Sequence, residues 1–367
     1  MAIVVRSFAK INFGLKIGPK RADGFHELRT IYQTIALHDV IRVELQSGSG
    51  IEIRCDNSRV PLDESNTCYK VAERVLQALP QGLKPISKKG LYGTAEAMPF
   101  QSRNREPQKQ RRDRARIGKL IIEIDKRLPV QGGLGAASSN GVATMLGLER
   151  ALNTEFSSAD KLRIAAEVGS DLPLFLMGGT VLGVGRGELV YPLPDTPPMH
   201  LVVVTPSVGV STPVAFARWD ALVARTHELT GAGGEGKINK LSEDLFDRLS
   251  SNAVSQAAFA SEPASGVPAV GGDRAETLLL DLVRAGIEND FERVVFPEYP
   301  DLREVKRVLE REGAHYASLS GSGSTLYGLF ASGEDAEAAA RRMKAAGHTA
   351  VATTTLTREE YWEQMFV

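Results

Sequence analysis

Cysteine is nearly absent: the 367 residues contain two, Cys55 and Cys68. Such a pair makes neither a disulfide framework nor a metal-ligand spacing, and it fits a reducing, cytoplasmic setting. Net charge is missing as well. Lys and Arg number 44 against 45 Asp and Glu, leaving −1. No overall field therefore draws the molecule toward nucleic acid or an anionic membrane. No run of about 18 uninterrupted apolar residues occurs, so no membrane-spanning helix is expected. The opening Met1-Ala2-Ile3-Val4-Val5-Arg6 has neither the apolar run nor the small-residue cleavage site of a secretory leader. His38, His200, His227, His315 and His348 form no H-E-x-x-H or similar cluster and receive no role. No internal repeat is evident. What remains is ordinary for a soluble globular protein, with 43% hydrophobic and 24% charged residues. The length favours roughly two domains.

The first third reads as short strands. Ala2 to Arg6 and Val40 to Leu45 are rich in β-branched residues, and Ile51 to Cys55 alternates apolar with polar. Asn66 to Leu79 places Val71, Val75 and Leu79 at helical spacing. Lys84 to Lys119 is unlike the rest: between residues 103 and 116, Arg103, Arg105, Lys109, Arg111, Arg112, Arg114 and Arg116 are opposed only by Glu106 and Asp113. This reads as a solvated insertion. The sharper alternative, a polyanion-binding arm, lacks the interleaved aromatics of a single-strand binder. Leu120 to Ile124 is a strand, Ser138 to Leu152 a helix, and Ala159 to Val168 a second helix with Ser157 or Ser158 as N-cap. Val181 to Tyr191 is a hairpin turning at Gly185-Arg186-Gly187. Leu201 to Thr205 reads as a buried strand opening a second domain. Gly231 to Gly236 and Ser250 to Asp273 have loop composition. The end has an α/β rhythm: helix from Leu302 to Glu312, strands at Ala317 to Ser320 and Thr325 to Phe330, helix from Asp335 to Ala346, strand from Ala350 to Thr355. That order predicts a small sheet with helices on one face.

The strongest chemical signal is Leu128-Pro129-Val130-Gln131-Gly132-Gly133-Leu134-Gly135-Ala136-Ala137-Ser138-Ser139-Asn140, between a strand and a helix. Glycines there let backbone approach a ligand closely. The helix behind offers unpaired N–H groups and the positive end of its dipole. Together they make a phosphate cradle, to which Ser138 and Ser139 add hydroxyls. A tight turn with a serine cap is the plainer alternative. Gly231-Ala232-Gly233-Gly234-Glu235-Gly236-Lys237 imitates a P-loop, but Ile238 stands where Ser or Thr would bind Mg²⁺. Gly183-Val184-Gly185-Arg186-Gly187 is not G-x-G-x-x-G and lies in a hairpin, so a dinucleotide fold is not indicated.

The glycine loop resembles the second motif of the GHMP kinases, the galactokinase, homoserine, mevalonate and phosphomevalonate kinase superfamily. Phe8-Ala9-Lys10-Ile11-Asn12 resembles the first motif, and Leu319-Ser320-Gly321-Ser322-Gly323-Ser324-Thr325 the third. Within the superfamily, four stretches resemble a branch whose acceptor alcohol carries a cytidine diphosphate: Arg21-Ala22-Asp23-Gly24-Phe25-His26-Glu27-Leu28, Gly169-Ser170-Asp171-Leu172-Pro173, Pro206 to Phe216, and Asn289-Asp290-Phe291-Glu292. The resemblance implies an α+β fold of two domains. The N-terminal one, 1–195, would be ribosomal-protein-S5-domain-2-like with the basic insertion at about 84–119. The C-terminal one, 196–367, would be ferredoxin-like with an insertion at about 250–273.

It also implies an ATP-dependent kinase using Mg²⁺, with the active site between the domains. Asp171 would be the general base, paired with Lys10, which would also neutralise charge at the reacting oxygens. Pro129, Gln131, Gly132, Gly133, Leu134, Gly135, Ala136, Ala137, Ser138 and Ser139, with Gly321, Ser322 and Gly323, would hold ATP. Ser139 is the candidate Mg²⁺ ligand. Asn12 and Thr212 would line the substrate pocket, His26 would hydrogen-bond the nucleobase, and Phe25 and Phe216 would stack on it. The partner would be that small-molecule substrate, with no nucleic acid and no membrane, and the protein a monomer or homodimer.

Plainer roles stand beside these. Asp171 has the position of a turn cap, Lys10 that of a surface lysine, and Phe216 that of a core residue. Rival functions are another GHMP kinase acting on a mevalonate-type, homoserine or sugar substrate, and a non-catalytic ligand sensor on the same fold. Two departures from the family pattern matter. Gln131, Ala136 and Ala137 replace glycines; methyl groups are tolerated on the helix side, where φ is ordinary, or else narrow the phosphate loop. Phe25 stands where tyrosine is common.

Overall fold

A computed structural model describes residues 2–79, 118–230 and 288–367. The arginine-rich stretch up to residue 117 and both glycine- or serine-rich stretches between 231 and 273 lie outside the described residues. Two strands dominate the first part of the chain: β1 (Ile3–Lys20) and β2 (His26–Gln46), paired antiparallel along nearly their full length. Both are far longer than the short apolar runs predicted. Along its other edge β2 carries two partners in turn. Leu28 to Gln33 pair with β5 (Thr180–Gly185), and Val40 to Gln46 with β4 (Lys119–Asp125). Strand β3 (Gly50–Arg54) joins β4 in parallel, and β6 (Leu189–Pro192) completes the predicted hairpin with β5.

Helices cover one face of this sheet. They are α1 (Thr67–Ala78), α2 (Ala136–Ala151), α3 (Ser158–Val168) and the single turn α4 (Leu172–Phe175). Of the two candidates Ser157 is the cap of α3, its side chain accepting from Asp160 N, and Asn66, not foreseen as a cap, accepts from Cys68 N at the start of α1. Apolar residues of α1 and α2, among them Val71, Val75, Val142 and Met145, bury against Val5, Ile41, Val43 and Ile122 of the strands.

The second sheet has the order β10 (Ala350–Thr354), β7 (His200–Val204), β9 (Leu326–Phe330), β8 (Tyr316–Leu319), all antiparallel. Strand β7 reads Leu-Val-Val-Val because both its faces are covered. Val202 and Val204 meet the helices α7 (Pro300–Arg311) and α8 (Gly333–Ala345), whereas Leu201 and Val203 meet Ala9, Ile11 and Phe13 of β1. The second sheet is thus a layer between its own helices and the first sheet. Each such fully buried aliphatic side chain stabilises by roughly 1.5–3 kcal/mol.

Besides the single turn α4, three helices among the described residues were not predicted as such: α5 (Thr212–Thr230), α6 (Glu292–Glu298) and α9 (Arg358–Glu363). Helix α9 does not stay with the second sheet. Its Tyr361, fully buried, packs in the first core, its hydroxyl donates to Phe175 O (2.7 Å), and Arg6 N donates to Met365 O (2.8 Å) just beyond.

Candidate active site

The glycine stretch after β4 folds as a loop held from below. Asp39, fully buried on β2, accepts from Arg127 N (2.8 Å), Leu128 N (2.7 Å), Asn140 Nδ2 (3.1 Å) and Lys126 Nζ (2.6 Å). A buried carboxylate persists only when its lone pairs are taken up in this way. It ties the start of the loop to the first turn of α2. Ser7 extends the network, with its hydroxyl 2.6 Å from Asn140 Oδ1 and 2.8 Å from Ser139 Oγ. Ser139 therefore lies buried against Ser7, while Ser138 is the half-buried member of the pair.

The loop then turns through three left-handed residues, Gln131 (φ 63°), Gly133 (φ 85°) and Gly135 (φ 70°). Ala136 and Ala137 lie in helical backbone as expected, and Gln131 lies before it in left-handed backbone. Its side chain stands at a position of the kind glycine favours. Gly135 caps α2 without any side chain, so the first N–H groups of a 16-residue helix have no internal partner. That is the physical basis of an anion site.

The third motif lies directly on the second. Thr325 N donates to Gly132 O (3.1 Å) and Ser320 Oγ to Gly133 O (3.0 Å). A Cβ on Gly133 would collide with Ser320 O, and one on Gly323 would lie 2.6 Å from Gly133 N. The two loops touch backbone to backbone, which only glycine allows. The Asn289-to-Glu292 stretch, noted as a pattern but given no role, holds this arrangement. Asn289 Nδ2 donates to Leu319 O (2.8 Å) and Gly321 O (2.7 Å), and Glu292 Oε1 accepts from Leu319 N (2.9 Å).

Lys10 and Asp171 meet beside these loops, Nζ to Oδ2 at 3.9 Å. Asp171 sits at the N-terminal end of α4 without a side-chain cap bond, so its carboxylate is not spent on the turn. Lys10 is no surface lysine, being 3% exposed. Burial pushes its pKa below the ordinary lysine value, and Asp171 opposes that shift. Asn12 Oδ1 accepts from Lys10 Nζ (2.7 Å), and Asn12 Nδ2 donates to Thr30 Oγ1 (2.7 Å).

Tyr32 completes the cluster. Its hydroxyl donates to Asp171 Oδ1 (3.2 Å), and its ring lies 5.6 Å from Lys10 Nζ. Burial, reinforced by Asp171, pushes the tyrosine pKa well above its usual value, so the hydroxyl remains a donor. Sequence reading missed Tyr32 and Thr30. Their signal was parity: His26, Leu28, Thr30 and Tyr32 alternate along β2, and each touches the site.

These groups line one end of a cleft of about 600 Å³. At the other end stand Phe25, His26, Phe216 and Asp220. Phe25 is half exposed, and the guanidinium of Arg186 lies 4.9 Å from its ring centroid. His26 is buried, stacks on Phe216 (4.9 Å between ring centroids, 10° between planes) and donates from Nε2 to Asp220 Oδ1 (2.6 Å). Phe216 is therefore part stacking surface and part core, since its other contact is the edge of Phe291 (5.0 Å). Thr212 bridges the two ends through Ser322, Oγ to Oγ at 2.7 Å. Gly133, Gly135, Gly321 and Ser322 line the cleft directly. Leu134 turns its side chain into the core and gives its carbonyl to Lys10 N (3.0 Å).

Comparison with known proteins agrees with this construction. The pattern of the GHMP kinases N terminal domain matches residues 107–179, and that of the GHMP kinases C terminal matches residues 275–349. The 4-diphosphocytidyl-2-C-methyl-D-erythritol kinase of Solibacter usitatus is 32% identical over 327 residues, 89% of this chain and 80% of that one. The kinase of the same name from Prosthecochloris aestuarii is 31% identical over 347 residues, 94% of each chain. The chain belongs to the 4-diphosphocytidyl-2-C-methyl-D-erythritol kinase family.

The fold agrees with that family. A crystal structure of 4-(cytidine 5'-diphospho)-2C-methyl-D-erythritol kinase superposes with a TM-score of 0.63 at 24% identity, covering 96% of this chain and 99% of the other. The homoserine kinase of Cytophaga hutchinsonii gives 0.56 at 18% identity, covering 97% and 95%, so the same fold serves other acceptors in the superfamily. Family membership makes the chain a GHMP-type phosphotransferase with ATP as its donor.

Proposed function

We propose that this chain transfers the γ-phosphoryl group of ATP to the 2-hydroxyl of 4-diphosphocytidyl-2-C-methyl-D-erythritol, a step of the non-mevalonate isoprenoid route. One observation carries the reading beyond family membership. The uncapped end of α2, the two interlocked glycine loops and the Lys10–Asp171 pair all open on one cleft, whose far end is aromatic. A phosphate donor and an alcohol attached to a flat base fit its two ends.

In this reading the acceptor hydroxyl lies between Asp171 and the loops. Asp171 accepts the hydroxyl proton as the oxygen bonds to the γ-phosphorus and the bond to the β-bridging oxygen breaks, releasing ADP. Tyr32 fixes Asp171 Oδ1, which leaves Oδ2, the oxygen facing Lys10, to take the proton. Lys10, itself 3% exposed, supplies positive charge from a position nearly closed to water, where it acts more strongly than in solution. Asn12 has one oxygen and one N–H already satisfied by the protein, leaving its second N–H for the acceptor.

Among the described residues no group of three His, Cys, Asp or Glu could hold a metal. Mg²⁺ fits here as the ion that travels with the ATP phosphates and offsets their charge, held mainly by their oxygens. Ser139 would have to leave Ser7 to ligate it.

The test is ATP consumption by the full chain with 4-diphosphocytidyl-2-C-methyl-D-erythritol, with mevalonate and with homoserine, beside the Asp171→Ala variant. Turnover is expected with the cytidyl alcohol alone, and Asp171→Ala is expected to lower kcat by about 10²–10⁴-fold. Turnover with mevalonate or homoserine instead would overturn the acceptor. Unimpaired Asp171→Ala would overturn the base.

A further inference from the structure

We propose that Arg186 grips the diphosphate of the acceptor, making the turn of the β5–β6 hairpin a phosphate-recognising element separate from the two glycine loops. The inference rests on the acceptor proposed above. Such a molecule has its base at one end and its polyol at the other, and the diphosphate must cross the space between the sites for the two. The base end is Phe25, His26 and Phe216, and the polyol end is Lys10 and Asp171.

Arg186 stands between them. Its guanidinium lies over the Phe25 ring at 4.9 Å. Its chain neighbour Gly187 lies so close to the reacting end that a Cβ there would be 2.5 Å from the Tyr32 hydroxyl and 4.0 Å from Asp171 Oδ1. The turn that carries it is held on both sides. Gly187 N donates to Val184 O (3.0 Å), and Gly185 N to Glu27 Oε1 (3.1 Å).

Glu188 directs the side chain. Its carboxylate accepts from Arg186 N (2.6 Å) and makes its closest approach to the guanidinium at Nε (3.4 Å), away from the forked end. Three basic side chains line the cleft among the described residues: Lys10, Lys20 and Arg186. Lys10 is committed to Asn12 and Asp171, and Lys20 faces Asp220 at 3.5 Å. Arg186 is about one-third exposed and is the planar, multiply donating group of the three, the type suited to two adjacent phosphate oxygens.

The experiment is calorimetric titration of the full chain with cytidine and with CDP, in saturating ADP to fill the donor site, for the wild type, Arg186→Gln and Arg186→Lys. The wild type should bind CDP more tightly than cytidine. Arg186→Gln should reduce that preference roughly tenfold while leaving cytidine affinity as it was, and Arg186→Lys should keep part of it. Cytidine affinity serves as the check on folding within the same titration. An unchanged CDP preference in Arg186→Gln overturns the inference. So does an equal loss for cytidine and CDP, which would make Arg186 a platform for the base. If the wild type binds neither compound, the acceptor reading falls, and this inference with it.

Discussion

The two ends of the cleft are built from different material. The end proposed for the donor is mostly backbone: the unpaired N–H groups of α2, carbonyls exchanged between two glycine loops, and no room for a Cβ at Gly133 or Gly323. The end proposed for the acceptor is side chains brought from far apart, with His26 of β2 against Asp220 and Phe216 of α5, and Phe25 against Arg186. Backbone recognition suits a triphosphate, which presents the same oxygens whatever else is bound. Side-chain recognition suits a base and a polyol, whose identity must be read. Lys10 and Asp171 lie where the two ends meet, so a change there should damage the reaction without favouring either substrate.

That gives the largest expected effect. Lys10→Met keeps length and apolar volume but removes the charge. It should lower kcat by about 10²–10³-fold, the usual cost of losing one preorganised electrostatic group. Because burial depresses the Lys10 pKa, the wild-type rate should fall as pH rises toward 10.5, beginning earlier than for a free lysine. Stability should move the other way. Between the lowered folded pKa and the unfolded value the unfolded chain holds more protons, so stability rises with pH through that window. Thermal melts and kcat profiles over the same alkaline range check both signs. A Lys10→Met enzyme that keeps its rate, or keeps the wild-type alkaline limb, would remove Lys10 from the reaction.

A crossed pair of variants tests the division between the ends. Gly133→Ala forces a Cβ into Ser320 O at a left-handed residue. It should cost about 1–3 kcal/mol of stability and raise KM for ATP roughly tenfold, with little change in KM for the acceptor. Asp220→Asn loosens the ring of His26 from the other end. Asp220 is partly exposed, which screens the pair, so a rise of only about three- to tenfold in acceptor KM is expected, with KM for ATP unchanged. If either variant moves both Michaelis constants equally, the ends are coupled and the comparison fails.

The same contrast explains what the sequence discloses. The loop end, which we assign to the donor, is contiguous and glycine-marked, so Gln131 to Ser139 stood out in the sequence as a phosphate cradle. Helix α1 was readable in type and extent because one face is buried and one is wet. Strand β1 carried a signal that went unread, since Ala9, Ile11, Phe13, Leu15 and Ile17 alternate with Lys10, Asn12, Gly14 and Lys16, whereas β2 was underestimated because its buried polar residues Thr30, Gln33 and Thr34 interrupt the apolar pattern. Parity along β2 would still have found Tyr32. Helix α9 carried an available signal in Thr357 and Glu360, which form a reciprocal capping box. The pairing of His26 with Asp220, separated by 194 residues, had no local signal at all. Nor did the seat of Asn289 under the third motif, although its pattern was visible.

The smallest expected effect concerns the one departure from glycine that is not on the helix side. Gln131 holds φ at 63°, which a residue with a Cβ adopts at a cost of about 1–2 kcal/mol. Gln131→Gly removes that cost but gives the unfolded chain more freedom, which returns about 0.4–1 kcal/mol. The net gain in stability should therefore lie between about 0 and 1.6 kcal/mol, measured by denaturant unfolding. Gln131 is exposed and does not line the cleft, so its loss should leave acceptor KM alone and change KM for ATP less than Gly133→Ala does. A loss of stability in Gln131→Gly would mean that the glutamine side chain makes a contact worth more than its backbone strain. The donor end would then depend on a side chain after all, and the contrast between the two ends would be one of degree.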